Sequence, residues 1–405
     1  MVIIMTKIVT IIGGGAVGCA IAYELSQKQG LEIYVLEKNN KINGDNQTSR
    51  NSGVIHAGIY YPKSTEPLKA KFCVEGNRLL YDFCKEHNVP HKRTGKLVVA
   101  TNPLEEEYLD DVLNTAINNG ITDAKKITGE EARRMEKNIK STTAAYFPST
   151  GIIEPTVYVL TLKRLAENNG VYFAPGNKVL DIKKKNKFKI IAECNNNSDI
   201  FEADIVINSA GVYSDEIAKL INSDSPYVMD PVRGEAAQFY RKKSDLFMNG
   251  MNVYPAPYGF FKDTGKKAEV SFSEYNKLLD EKKVTRTVGV HLTPTFDIVN
   301  DEYVIGNTIT IGPTSTINIG KEDYGTGLHP VEHYLNKVTG FFPNLKLEDI
   351  QLYQSGIRAK LKDQNDFVIE KDRKNPNFIN LIGIDSPGLT SSLAIAKYVS
   401  DIMKD

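Results

Sequence analysis

No excess of charge of either sign marks this sequence: 50 lysines and arginines stand against 50 aspartates and glutamates in 405 residues. Bulk electrostatics therefore give no reason to expect nucleic acid or a strongly charged membrane surface as partner. Cysteine is scarce. The four thiols, Cys19, Cys73, Cys84 and Cys194, lack metal-site spacing, so a reduced intracellular chain without a metal is expected, not a disulfide framework. A long uninterrupted apolar run is missing too. Residues 8–25 carry one charge, Glu24, but Gly13, Gly14 and Gly15 break the run after β-branched residues. A buried strand, a tight turn and a helix suit that pattern better than a membrane span. With no basic n-region and no Arg/Ser-rich leader, the expected location is cytoplasmic.

What is present describes a globular chain with a sizeable core: 41% apolar and 25% charged residues, at a length that suits two domains. Residues 7–12 read as a buried parallel strand, 16–29 as a helix and 31–36 as a second strand ending at Glu37. Residues 39–61 read as a long loop, which in a compact domain is functional or disordered. Helical spacing follows at 68–87, with Leu68, Phe72, Leu79, Leu80 and Phe83 as the apolar stripe. A short strand is expected at 95–101 and helices at 104–119, 128–138 and 157–168. Strands are expected at 178–183, 187–193 and 201–210, with the lysines at 183–185 at a solvated hairpin tip. Short strands dominate 231–313, interrupted by a charged surface excursion at 261–286. The chain closes with a strand at 377–384 and a helix at 390–403.

The first glycine run satisfies G-x-G-x-x-G through Gly13, Gly15 and Gly18, with Ala16 and Val17 between them. The first glycine permits a sharp strand-to-helix turn, the second a close approach to pyrophosphate, and the third tight helix–strand packing. The helix N-terminus offers N–H groups and partial positive charge to a phosphate. Glu37 stands at the end of the second strand, where an acid accepts hydrogen bonds from a ribose. Residues 205–211 form a buried strand ending in Ser209, Ala210 and Gly211, where an interrupted nucleotide domain would resume. The Ser386-Pro387-Gly388-Leu389-Thr390 turn opens a helix whose positive end could meet a flavin ring carbonyl, which favours FAD over NAD.

Several longer motifs carry a resemblance: Arg50-Asn51-Ser52-Gly53-Val54-Ile55-His56-Ala57-Gly58-Ile59-Tyr60-Tyr61, Leu68-Lys69-Ala70, Cys73-Val74-Glu75-Gly76 and Gly95-Lys96-Leu97-Val98. Farther on stand Val232-Arg233-Gly234-Glu235, Gly289-Val290-His291-Leu292-Thr293-Pro294 and Ser355-Gly356-Ile357-Arg358-Ala359. Over nearly its whole length the chain resembles the D-amino-acid oxidase superfamily, and within it the L-2-hydroxyglutarate dehydrogenase/oxidase family. The resemblance implies an α/β and α+β fold: a Rossmann-like FAD-binding domain (1–90, 150–225 and 350–405) interleaved with a mixed-sheet substrate domain (91–149 and 226–349). It implies FAD-dependent oxidation of L-2-hydroxyglutarate to the 2-oxo acid, with electrons passing to a quinone-type acceptor or to oxygen. It also implies flavin contacts from Lys38, Thr48, Ser49, Asn51, Ser52, Gly53, Val179, Gly356, Gly388, Leu389 and Thr390. The sequence departs from the family between Pro257 and Gly289, which is long and charged. It departs again after Gly312-Pro313, where the usual asparagine is missing, and at Leu389, where a small residue is usual. Oligomeric state and peripheral contact with the inner face of a membrane are left open.

Oxidising an α-hydroxy acid needs a hydride acceptor, a base for the hydroxyl proton and a carboxylate clamp. Histidine suits the base. His56, beside Gly53 and Gly58, and His291, on a substrate-domain strand, are the two candidates, and the choice between them stays open. His87, His91, His329 and His333 read as surface residues. The resemblance puts Arg358 where the superfamily carries its substrate arginine, a fork suited to a carboxylate. Arg233, Tyr60 and Tyr61 are weaker candidates for substrate contact. Competing readings are an amino-acid or secondary-amine oxidase, a glycerol-3-phosphate dehydrogenase using Lys69, Lys71 and Arg233 around a phosphate, and a non-catalytic FAD-containing assembly factor.

Overall fold

The computed structural model describes residues 6–42, 46–264 and 266–404. Two large sheets organise it. The first has six strands in the order Val368–Lys371, Phe378–Ile382, Ile205–Asn208, Lys7–Ile12, Leu31–Glu37 and Tyr172–Pro175. All neighbours run parallel except the first pair. Its strands are apolar on both faces because both faces are covered. Val9, Ile11, Val35 and Ile207 pack under the helices Ala16–Ser26, Pro155–Asn168 and Gly388–Ile402. Ile12, Leu36, Val206 and Phe378 pack against a three-stranded meander, Lys178–Lys184, Phe188–Cys194 and Asn197–Ala203. The strand expected at 201–210 is therefore two: Asn197–Ala203 ends the meander, and Ile205–Asn208 begins in the parallel sheet. Asp204 marks the break, its carboxylate accepting the Ile8 N–H at 2.8 Å.

The second sheet has eight strands, in the order Gln351–Arg358, Val232–Tyr240, Glu302–Thr316, His291–Val299, Asn252–Pro255, Lys96–Ala100, Thr143–Phe147 and Lys125–Thr128. One face carries Leu97, Val99, Val253, Leu292, Ile309 and Ile311, closed by Tyr334 and Val338 of the helix Val331–Val338. Alternation sends Lys96, Val98, Tyr254 and His291 to the opposite face, toward the first sheet. Gln351–Arg358 pairs with Val232–Tyr240, so the chain leaves this sheet only after Arg358. The charged 261–286 excursion is more ordered than expected. Strands Tyr258–Phe261 and Val284–Thr287 pair antiparallel around a helix, Phe272–Asp280, whose Tyr275 packs on Tyr108 of the helix Pro103–Asn118. The expected loop at 39–61 holds a two-residue strand, Val54–Ile55; its residues 43–45 lie outside the described residues.

Candidate functional site

A cavity of about 1940 Å³ runs between the two sheets, from Glu37, Lys38 and Val179 past the glycine turn to His56, His291 and Arg358. Ligand pockets span roughly 300–1,000 Å³, so this space suits a dinucleotide together with a small substrate. At its first end the backbone of the glycine turn is tightly constrained. Gly13 has φ +106°, and a Cβ there would lie 2.4 Å from the Ser209 carbonyl oxygen. A Cβ at Gly18 would lie 1.9 Å from the Gly13 carbonyl oxygen. Gly18 thus does not line the cavity; it lets the helix Ala16–Ser26 seat against the turn. The Glu37 carboxylate accepts the Gly14 N–H at 2.8 Å and the Asn39 N–H at 2.9 Å, which fixes the turn against the end of the second strand. Thr48 closes over the helix N-terminus, its hydroxyl accepting the Ala16 N–H at 3.0 Å. The helix has no acidic residue in its first turn, so none of its own side chains there opposes an anion. These residues fit FAD: the glycine cradle and helix N-terminus would hold its pyrophosphate, and Glu37 its ribose.

At the other end, His56 follows Val54–Ile55 and is pinned from two sides. Its N–H donates to Thr390 Oγ1 at 3.0 Å, and its carbonyl accepts from Asn77 Nδ2 at 2.9 Å. The ring Nε2 lies 3.5 Å from Ser386 Oγ. His291, 4% exposed, has Nδ1 3.2 Å from Thr293 Oγ1 and lies flat on the Tyr254 ring, with centroids 3.7 Å apart and planes at 10°. Arg358 lines the cavity at the end of its strand, where a Cβ on Gly234 would come within 3.5 Å of its Nε. Among the described residues Arg358 has no carboxylate partner. Burial holds both imidazoles well below the usual histidine value, and the Lys96 and Arg358 cations push the same way. Both histidines are therefore neutral bases beside a guanidinium that has no carboxylate partner among the described residues.

Most expected site residues reach the cavity: Gly13, Gly15, Ala16, Val17, Glu37, Lys38, Thr48, Asn51, Ser52, Val179, Ala210, Gly211, Gly356, Gly388, Leu389 and Thr390 along its length, with Tyr60 near the histidines. Ser49 and Gly53 do not line it. The Ser49 hydroxyl donates to the Asn46 carbonyl, while Gly53, at φ +65°, accepts the Ile153 N–H at 2.8 Å. Arg233 is a correction. Fully buried on the far side of its strand, it bonds Glu235 at 2.9 Å, the Asp323 carboxylate and carbonyl at 3.0 and 3.2 Å, and the Thr326 and Gly327 carbonyls at 2.8 and 3.5 Å, which leaves none of its five N–H groups for a substrate. Of the other cations offered for a phosphate, Lys69 lines the cavity but pairs with Asp385 at 2.7 Å, and Lys71 is exposed on its helix. His329 and His333 are a second correction. Both line the cavity, His329 against Glu235 at 3.1 Å and His333 against Thr314 Oγ1 at 3.1 Å. Lys96 and Tyr254 were missed. A lysine opening the apolar run Lys96-Leu97-Val98-Val99-Ala100 was the signal, since lysine is almost never fully buried without a partner.

Comparison with known proteins agrees with this geometry. A family model described as FAD dependent oxidoreductase, DAO, matches residues 9–402. The mitochondrial L-2-hydroxyglutarate dehydrogenase of Arabidopsis thaliana is 30% identical, over 96% of this chain and 82% of that protein. A glycerol 3-phosphate dehydrogenase of Caloramator mitchellensis is 31% identical, over 98% of this chain and 74% of that protein. Among solved structures, the dithionite-reduced, FAD-bound L-alpha-glycerophosphate oxidase of Mycoplasma pneumoniae shares the fold with a TM-score of 0.82. It is 24% identical, over 99% of this chain and 95% of that one.

Proposed function

Because the chain belongs to the DAO family of FAD-dependent oxidoreductases, we propose that it oxidises a small L-2-hydroxy acid, L-2-hydroxyglutarate, to the 2-oxo acid. The observation that carries this reading is the pairing of Arg358, a guanidinium with no carboxylate partner among the described residues, with two neutral histidines at one end of the cavity. The flavin, when bound, supplies the hydride acceptor. Arg358 binds the carboxylate through two parallel hydrogen bonds and so decides which face of Cα is presented. His56 or His291 takes the hydroxyl proton, a contribution of roughly 10²–10⁴-fold. His56 is the better placed, since Thr390 and Asn77 hold its backbone and its Nε2 is the ring atom turned toward Ser386. Tyr60 completes the wall beside them. Similarity to L-2-hydroxyglutarate dehydrogenases of several organisms supports the same substrate. Either a quinone-type compound or oxygen would reoxidise the cofactor. Among the described residues no helix is long and apolar enough to cross a membrane, so an acceptor dissolved in lipid would be met at a membrane surface.

The test is anaerobic mixing of the yellow holoprotein with L-2-hydroxyglutarate, its D-isomer, glycine, sarcosine and glycerol 3-phosphate. Bleaching of the flavin absorbance by the first alone is the expected result. Bleaching by glycerol 3-phosphate or by an amine overturns the substrate, and bleaching by none of them favours a non-catalytic role.

A further inference from the structure

Lys96 lies just behind the wall of the reactive end of the cavity, against Tyr254 and Tyr60, and the proposed reaction gives it no task. It is 0% exposed, and among the described residues its Nζ has no hydrogen-bond partner. Its strand runs parallel to Asn252–Pro255, with Val98 level with Tyr254. The ammonium lies 3.7 Å from the Tyr254 ring centroid and 5.2 Å from that of Tyr60. A ring has two faces. His291 lies flat on one face of Tyr254, so Lys96 occupies the other, and the phenol ring is a slab between a cation and an imidazole. A cation on an aromatic face is stabilised without a counter-ion.

The surrounding ionisable groups give the arrangement its consequence. Helix Pro67–Glu86 presents the Cys73 thiol, pushed up by burial and so uncharged. Strand Asn252–Pro255 presents the Tyr254 hydroxyl, also pushed up by burial. The loop after Val54–Ile55 presents His56 and Tyr60, strand His291–Val299 presents His291, and strand Gln351–Arg358 presents Arg358. The neighbouring strand Thr143–Phe147 sets Phe147 level with Lys96. No carboxylate appears among these groups. A salt-bridged lysine would cancel its own field; this one does not.

We propose, on the strength of the hydroxy-acid reading above, that Lys96 is a positioning residue that keeps His291 and His56 as free bases. Three bases share one poorly solvated region, and the first proton goes to the intrinsically strongest, the amine. A proton on either imidazole then has to overcome both desolvation and repulsion from the ammonium. Lys96 holds the proton that would otherwise disable the base, and the aromatic slab keeps it from the substrate.

The test compares the wild-type holoprotein with Lys96→Met, Lys96→Gln and Lys96→Arg, following histidine ring signals by NMR, with His56→Asn and His291→Asn for assignment. In the wild type and Lys96→Arg, both signals are expected to stay in the neutral form between about pH 5 and pH 8. In Lys96→Met and Lys96→Gln, at least one is expected to titrate inside that window. The acid limb of kcat/KM for L-2-hydroxyglutarate is expected to move up with it, while kcat on the plateau changes little. The thermal midpoint of Lys96→Met is expected to hold or rise, since an apolar side chain replaces an unpaired buried amine; a merely structural lysine would lower it. Unchanged histidine titration in Lys96→Met and Lys96→Gln, or Lys96→Arg behaving like Lys96→Met, overturns the proposal. The NMR readout needs no substrate. A failure of the substrate reading therefore shows in the bleaching experiment alone.

Discussion

Arg233 and Arg358 lie on adjacent strands, with Val232 level with Arg358 and Arg233 level with Ile357, yet they meet opposite surroundings. A one-residue offset on a pleated strand sends neighbours to opposite faces. Arg233 is consumed by Glu235 and Asp323, while Arg358 lies over Gly234 in the cavity. Arg358→Ala should raise KM by about 10–100-fold, the loss of a charge-assisted hydrogen bond worth roughly 1.5–3 kcal/mol, with little change in unfolding. Arg233→Ala should instead cost about 3–5 kcal/mol in urea unfolding, because it leaves the Glu235 carboxylate buried and uncompensated. His56→Ala should leave substrate binding intact and lower kcat by roughly 10²–10⁴-fold; an unchanged kcat would move the base to His291. Lys96 adds a pH dependence. Burial pulls its amine from an ordinary 10.5 down to about 7. The unfolded chain therefore binds the extra proton between those values, and stability rises with pH across that window. The penalty is full below about 7 and gone above about 10.5. Differential unfolding of wild type against Lys96→Met from pH 7 upward should show the gap between them narrowing as pH rises.

At the scale of elements, two close approaches of backbone set the site. The third glycine of the turn, Gly18, carries helix Ala16–Ser26 onto the Gly13 carbonyl. Gly76 does the same for helix Pro67–Glu86 against Gly388–Ile402, where a Cβ would lie 2.3 Å from the Thr390 carbonyl oxygen. Thr390 in turn accepts the His56 N–H. Gly76→Ala should therefore displace the start of the last helix, costing about 1–3 kcal/mol as an overpacking change, and lower kcat as His56 shifts. Stopped-flow bleaching at saturating substrate, beside a thermal melt, separates the two effects. The sequence pattern located these helices to within a few residues, since an apolar stripe at 3.6-residue spacing is a local signal. It ran two strands together at 201–210, because both are apolar and only the tertiary partners distinguish them.

For the whole molecule, the cavity is assembled from residues as far apart as Ile12 and Thr390. Both sheets contribute to its walls, so a dinucleotide seated there would tie them together. FAD added at a hundred times its dissociation constant should stabilise the fold by about 2.7 kcal/mol, seen as a rise in melting temperature that scales with the logarithm of FAD concentration. The sequence by itself determined the nucleotide turn, Glu37 and the family, because each is written in residues close along the chain or in motifs long enough to be specific. It also named His56, His291 and Arg358 as candidates. Only the tertiary structure decided that Arg233 is spent on Glu235 and Asp323, that His329 and His333 face the cavity, and that Lys96 lies behind Tyr254 with no hydrogen-bond partner among the described residues. The reason is physical: charge, burial and partner are properties of a place in space, and strands distant in sequence bring that place together.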